Sequence, residues 1–316
     1  MTRRGLLIAN PHATTTSPQV RDIITRALSH ELDLEVVTTT HRGHAAELAA
    51  ATGAELVITL GGDGTVNEVV NGMLESGRGD LPMLAAIPAG SANVMARALG
   101  FPNDPIEAAG MILEALRTDS AHEIGLGNAR FAPAGGGPVR SHWFTINAGV
   151  GLDARVIAAM ESQRAAGHAA SPLRYVRTAI GEYVRDPDRR HPTLSLALPG
   201  REPIAGLAMV IVQNTAPWTF FGPFAVNPCP RASFDLGLDV FAPHSLGLPA
   251  TVRFGLRMLR GSTAGSVEGG LLVLHDEARF TVRAQRPASL QVDGDGMGEV
   301  SEVAFRAAPQ ALRILG

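Results

Sequence analysis

The stretch "LVITLGGDGTVNEVVNG" (56–72) constrains this chain more than any other. Its opening residues read as a buried strand, two glycines break it, and Val66, Val69, Val70 and Met73 then recur on one helical face. A strand that turns through Gly61-Gly62-Asp63-Gly64-Thr65 straight into a helix leaves backbone N–H groups aimed outward at the helix N-terminus, where an anion is favoured. An aspartate in the middle of that turn does not suit a bare phosphate cradle. It does suit a phosphate that carries a metal ion. The plain structural alternative is a tight strand–helix turn with Asp63 as a cap.

The sequence around the turn sets the architecture. "GLLIA" (5–9), "LEVVT" (34–38), "ELVITL" (55–60) and "MLAAIP" (83–88) have the look of buried parallel strands. Helical stretches such as "SPQVRDIITRALSHEL", "GHAAELAAATGA" and "SANVMARALG" alternate with them. That alternation predicts an open, mostly parallel α/β sheet with its ligands outside the carboxyl ends of the strands. The loops at Asn10-Pro11, Thr38–Thr40, Gly61–Thr65 and Ala89–Ser91 fall there. After "DPIEAAGMILEALRT" the texture changes to strand-like runs with Gly/Pro turns, a hairpin loop over 130–142 and two helical stretches at 152–165 and 172–185. The expected fold class is therefore α/β plus all-β. An α/β domain spans 1–122, a β-rich domain 123–306, and 307–316 return to the first.

Composition narrows the chemistry. With 316 residues, 45% hydrophobic and 18% charged, the chain has ample core for two domains. A net charge of −3 and no basic run argue against a nucleic-acid partner. All 27 basic residues are arginine. The missing lysine removes the P-loop, the protein-kinase strand lysine and Schiff-base chemistry. Phosphates, if handled here, fall to backbone amides, arginine and a divalent cation. Cys229 stands alone, which excludes an intrachain disulfide and makes a reducing cytoplasm the expectation. The start "MTRRGLLIANPHA" is too short and wrongly flanked for a secretory signal, and no apolar run reaches the length of a membrane span.

Other features point less sharply. Asp293 and Asp295 follow the strand-like "ASLQV" and offer carboxylates for base or metal chemistry, against the simpler reading of an Asp-Gly hairpin turn. "NTAPWTFFGPFAVNP" gathers Trp218, Phe220, Phe221 and Phe224 in one connection, either exposed toward acyl chains or plugging the core. His41 and His44 lack a third ligand at metal spacing and are expected on a solvated surface, as are Arg42 and Arg97 unless they touch phosphate.

Taken in order, the motifs resemble the diacylglycerol kinase catalytic-domain family, which includes bacterial soluble lipid kinases and the sphingosine and ceramide kinases. The resemblance rests on Asn10-Pro11, on Thr39 four residues before Gly43-His44-Ala45, and on Gly61-Gly62-Asp63-Gly64-Thr65 running into Val66-Asn67-Glu68-Val69-Val70-Asn71-Gly72. Pro88-Ala89-Gly90-Ser91-Ala92-Asn93, "NAGVGLDA" (147–154) and "VDGDGMGE" (292–299) follow. It implies an ATP-binding α/β domain, a β-sandwich-like second domain, and an active site in the cleft between. It implies that Asn10, Thr39, Gly61, Gly62, Asp63, Gly64, Thr65, Val66, Asn67 and Ser91 line the ATP pocket and that Asp63 supports a catalytic Mg²⁺. The family's Asp-Gly-Glu is Asp293-Gly294-Asp295 here, so Asp295 is the expected general base, with Asp293 orienting it or touching the metal. Which of the two is the base stays open. Ala13 and Thr14 stand where the family has Ser-Gly, and the Asp-Asp-Gly of a structural Mg²⁺ site is reduced to Asp235-Leu236-Gly237.

The implied activity is an ATP- and Mg²⁺-dependent lipid kinase acting on a hydroxyl of a diacylglycerol, sphingoid base or ceramide. Its expected place is cytoplasmic and peripheral at the inner membrane surface. The expected partners are ATP, the lipid, a transient membrane surface and, as an option, a second copy in a homodimer. An NAD kinase, which shares the Gly-Gly-Asp-Gly turn, and a catalytically decayed nucleotide- or lipid-binding relative are the competing readings.

Overall fold

The alternating apolar and helical stretches form a parallel sheet. β1 (Arg3–Ala9) lies between β2 (Leu32–Thr38) and β3 (Leu56–Gly61), and β3 pairs in turn with β4 (Met83–Pro88). β3 and β4 are buried along their whole length, as strands covered on both faces must be. Their connections are α1 (Pro18–Ser29), α2 (His44–Ala51), α3 (Asp63–Glu75), α4 (Val94–Ala98) and α5 (Pro105–Thr118). Ser17 and Asp104 cap α1 and α5 through their side-chain oxygens, each ahead of a proline that cannot donate anyway.

The computed structural model describes residues 2–13, 16–165, 172–186, 189, 191–221, 224–260 and 270–316. They divide into two units, 1–125 with 310–316, and 126–309. The last residues complete the first unit. Ile314 pairs in parallel with Leu84, and Leu312, Ile314 and Leu315 are buried.

β5 (Ala121–Pro133) leads the chain into the second unit, where nearly all the pairing is antiparallel. In chain order follow β6 (Arg140–Phe144), β7 (Asn147–Gly151), α6 (Leu152–Ala165), α7 (Pro172–Arg185), β8 (Leu194–Ala197), β9 (Ile204–Leu207) and β10 (Met209–Gln213). Then come β11 (Thr219–Phe221), β12 (Phe224–Val226), β13 (Leu238–Pro243), α8 (Leu248–Arg260), β14 (Leu271–Glu277), β15 (Arg279–Val292) and β16 (Asp295–Leu315). The strand order β14-β13-β10-β7-β15-β16 carries alternate side chains inward onto one core around Phe144, Phe280 and Phe305. The Phe280 and Phe305 rings lie 5.4 Å apart.

Three features depart from the sequence expectation. β5 runs on to Pro133 and β6 starts at Arg140, so the hairpin loop expected over 130–142 is confined to 134–139. α8 is a third helix, with Phe254 buried and Ala250 and Met258 packed against a smaller core. The aromatic connection is split: Trp218 packs on that smaller core, whereas Phe224 is 68% exposed at the β11–β12 hairpin. Thr14 and the side chain of Phe221 lie outside the described residues.

Candidate active site

Two turns meet at the carboxyl ends of β3 and β4. A Cβ on Gly61 would sit 2.6 Å from the Thr65 hydroxyl oxygen, and one on Gly90 would sit 2.6 Å from the Gly62 Cα. Glycine at 62 and 90 is thus what lets the turns touch, and glycine at 61 leaves room for the Thr65 side chain, with Ala89 N–H donating to the Gly61 carbonyl at 2.9 Å. Gly64 is different. It is exposed in the first turn of α3, and a Cβ there would meet nothing within 4 Å. Among the described residues no packing accounts for the glycine, and the space against that turn is open.

Helix α3 presents its N-terminus at this point, where the opening amides of a helix lack intrahelical acceptors. Thr65 and Val66 N–H groups donate back to the Gly62 carbonyl at 3.0 and 3.2 Å, which fixes the turn. Asn10, just past β1, donates through Nδ2 to the Thr65 Oγ1 at 3.1 Å and accepts the His12 N–H at 2.9 Å. Thr39 follows β2 and donates its N–H to the Ala9 carbonyl at 2.9 Å. Asn10, the glycine turn, Thr39 and the 88–91 turn all therefore lie at carboxyl ends of the parallel strands.

The Asp63 carboxylate accepts the Met95 N–H at 3.1 Å, so it caps the neighbouring α4 rather than its own helix. Arg97 is close enough that Asp63 favours its charged form, although burial dominates and lowers the Arg97 pKa. Asn93 clamps the second turn from a left-handed backbone (φ 50°). Its Oδ1 accepts the Gly90 N–H at 2.8 Å, and its Nδ2 donates to the Gly90 carbonyl at 2.9 Å. Asn93 stands in the quoted motif, yet its clamping role is invisible without the fold. Ser91 is exposed beside it. Val66 and Asn67 face inward, at 4% and 2% exposure, with the Asn67 Oδ1 taken by the Asn71 Nδ2 at 3.1 Å. They shape α3 from behind the turn. His41 and His44 stack with ring centroids 4.9 Å apart, and both reach the Thr40 hydroxyl.

The open Gly64 and the helix N-terminus are the features of this turn that suit a phosphate group. Among the described residues no group of three or more His, Cys, Asp or Glu side chains stands ready to hold a metal ion. The metal that suits Asp63 is one arriving with phosphates, since Mg²⁺ is commonly held by one or two carboxylates plus phosphate oxygens. Asp235 does not fit as a structural Mg²⁺ ligand. It is exposed and turned back on Ser233, and the nearby Asp276 Oδ1 is taken by the Gly237 N–H at 2.6 Å.

In the second unit Asp293 stands in a tight hairpin turn. Asp293 and Gly294 have φ of 47° and 86°, the two positive values of a two-residue hairpin between Val292 and Asp295. The Asp293 Oδ2 accepts the Thr145 N–H at 2.7 Å and its hydroxyl at 2.8 Å, while Oδ1 accepts the Ile146 and Asn147 N–H groups at 2.9 Å each. That carboxylate ties down the β6–β7 connection, each of its oxygens accepting two of these hydrogen bonds. Asp295 opens β16, half-buried, one residue past the turn.

A further carboxylate lies in the "NAGVGLDA" segment but escaped the sequence reading. Asp153, at the start of α6, is 6% exposed and accepts the Gln291 Nε2 at 2.8 Å, the same amide that reaches the Asn147 Oδ1. Burial pushes its pKa up to about 6, against the opposing hydrogen bond from Gln291. Burial, with Asp153 nearby, also raises the Tyr175 phenol.

Residues 4–128 match the family model described as diacylglycerol kinase catalytic domain. A YegS-like lipid kinase of Chromohalobacter salexigens is 39% identical over 100 residues, 31% of this chain and 32% of that protein. A diacylglycerol kinase of Bacillus subtilis is 49% identical over 63 residues, 20% of each. The matched stretches thus span a third or less of these curated relatives. The fold extends further. A diacylglycerol kinase structure from Bacillus anthracis aligns with 99% of this chain and 96% of its own, at TM-score 0.72 and 19% identity. Yeast NADH kinase complexed with NADH aligns less well, at TM-score 0.52 and 12% identity. Residues 4–128 of this chain are thus similar to the diacylglycerol kinase catalytic domain, and the fold likeness runs on through the rest of the chain.

Proposed function

We propose that the protein is an ATP- and Mg²⁺-dependent lipid kinase that passes the γ-phosphate to a hydroxyl of a diacylglycerol, sphingoid base or ceramide. The observation that carries this reading is the α3 N-terminus, where an exposed Gly64 faces open space beside Asp63. Phosphoryl transfer asks for positioning and charge neutralisation rather than covalent help. Amides of the turn take phosphate oxygens, Asp63 takes the accompanying Mg²⁺, and Arg97 adds positive charge. With Asp293 occupied, Asp295 is the candidate base for the acceptor hydroxyl, and buried Asp153 lies in the same unit as a polar anchor for the acceptor.

A membrane-surface habit is supported by α8. Its outer face carries Leu248, Val252, Leu256 and Leu259, each 46% exposed or more, and Arg253, Arg257 and Arg260 border that stripe. Helices of this composition lie in the headgroup region of anionic bilayers. No helix among the described residues is long and apolar enough to cross one. The site is accordingly assigned to the cytoplasmic side of the inner membrane, where lipid and ATP meet.

Labelled ATP offered with a lipid panel and with NAD tests the reading. Label in lipid supports it, label in NAD shows the NAD-kinase alternative, and silence with ATP still bound shows a decayed relative. Gly64→Ala sharpens the test. The substitution is free of steric conflict and favours a helix by about 0.5–1 kcal/mol, so the fold should gain slightly while ATP affinity falls. Undiminished ATP affinity in Gly64→Ala would refute the assignment of this turn.

A further inference from the structure

β5, β16 and β15 are neighbours in the second unit, and each lends an arginine to one hollow: Arg130, Arg306 and Arg279. The hollow holds about 660 Å³ and is floored by small residues, Ala197, Thr281 and Ala304. That volume falls in the range of small-ligand sites. Among the described residues no acidic side chain lines it.

The charges are arranged at a cost. Arg279 and Arg306 are direct cross-strand partners, and like charges directly opposite destabilise a strand pair. A few residues along the same two strands the arrangement is the reverse. Arg283 faces Glu302 in register and bonds to it at 2.6 Å. Among the described residues none of the three hollow-lining arginines has an ion-pair partner; Arg306 lies 5.8 Å over the Trp143 ring, which contributes no negative charge. A row of cations across three strands, unmatched by any carboxylate among the described residues, is relieved when an anion bridges them. Guanidinium forks match phosphate oxygens two at a time, which makes phosphate the fitting anion.

We propose that this hollow is a binding site for a phosphate-bearing anion, supplied either by a soluble phosphomonoester or by the headgroup of an anionic phospholipid. It does not rest on the kinase reading, and its test needs no turnover. The whole protein is titrated with inorganic phosphate and with glycerol 3-phosphate by calorimetry, and floated with phosphatidylglycerol-containing and pure phosphatidylcholine vesicles. Arg279→Gln, Arg306→Gln and the control Arg283→Gln are compared with the wild type. The expected result is a dissociation constant raised about tenfold or more, one bidentate contact's worth, in Arg279→Gln and Arg306→Gln but not in Arg283→Gln. Arginine-dependent binding of the soluble probes alone assigns a soluble ligand. Arginine-dependent binding of anionic vesicles alone assigns a headgroup. In phosphate-free buffer both hollow variants should melt at or above the wild-type temperature, since a repulsion has been removed. Binding that is indifferent to Arg279 and Arg306 with every probe, or a lower melting temperature for both variants, overturns the proposal.

Discussion

Asp293→Asn separates a structural carboxylate from a catalytic one. Asparagine tolerates the positive φ of the position, and Asn-Gly is itself a favoured pair for such hairpins, so the turn is not what suffers. The loss is at the β6–β7 connection. An amide keeps one acceptor oxygen and turns the other into a donor, which then confronts two of the four groups now bound. If the new amino group faces Thr145, the hydroxyl can rotate to accept from it, leaving one backbone N–H opposed; if it faces Ile146 and Asn147, two are opposed. Hydrogen bonds to a charged group are worth about 1.5–3 kcal/mol each, so the gentler arrangement costs about 3 kcal/mol. For a unit of this size that corresponds to a melting temperature lower by about 6–12 °C. Circular dichroism melts with and without Mg²⁺-ATP measure it, and assays below the new transition should find activity within about threefold of wild type. An unchanged melting temperature with activity abolished would refute this reasoning and return Asp293 to the chemistry.

Asp63→Asn keeps an oxygen for the Met95 N–H, so the fold should survive while phosphoryl transfer disappears. Thermal stabilisation by Mg²⁺-ATP, about 2.7 kcal/mol at a hundredfold excess over Kd, should then vanish, and an undiminished shift counts against the metal role. Asp295→Asn should lower kcat by roughly 10²–10⁴ with little change in the KM for ATP, whereas Asp295→Glu should match or exceed wild type; a fully active Asp295→Asn places the base elsewhere. Asp153 binds its proton more tightly folded than unfolded, because burial raises its pKa to about 6. Its effect is therefore absent below about pH 4, and stability falls as pH rises toward 6, by about 3 kcal/mol in all. Chemical denaturation of Asp153→Asn at pH 4 and pH 7.5 should show that loss removed, and parallel wild-type and variant curves would contradict it. Val252→Glu with Leu256→Glu should weaken flotation with anionic vesicles about tenfold or more, since each exposed side chain loses apolar burial in the interface. Equal flotation would remove α8 from the membrane contact.

The parallel sheet was legible because its signals are local: apolar runs, helical spacing and glycines at strand ends lie next to one another in sequence. Asp293-Gly294 was legible too as a hairpin dipeptide, but its partners are not. Thr145, Ile146 and Asn147 lie almost half the chain away, and only pairing of β7 with β15 brings them to that carboxylate. In sequence, Asp153 is one more acidic residue in a helix's first turn, since burial depends on what packs over it. α8 was missed although Leu248, Val252, Leu256 and Leu259 repeat at helical spacing. Its flanking glycines and prolines read as turns, and its stripe faces outward rather than to a core. Asn93 and Gly90 show the same limit: the motif is visible, but the contact with Gly62 that requires glycine is a meeting of two loops.

The return of residues 310–316 to the first unit bears on how that unit is assembled. Everything from 126 to 309 is, in sequence, an insertion between two parts of one sheet. β4 offers one edge to β3 and the other to the segment around Ile314, whose N–H and carbonyl groups join it only after more than two hundred further residues have been made. Until then β4 is a bare, fully apolar edge strand, the kind of surface that recruits a second chain. A fragment cut at 128, where the family match ends, would carry that edge permanently and should self-associate. Supplying residues 305–316 as a separate peptide should suppress that association by completing the sheet in trans.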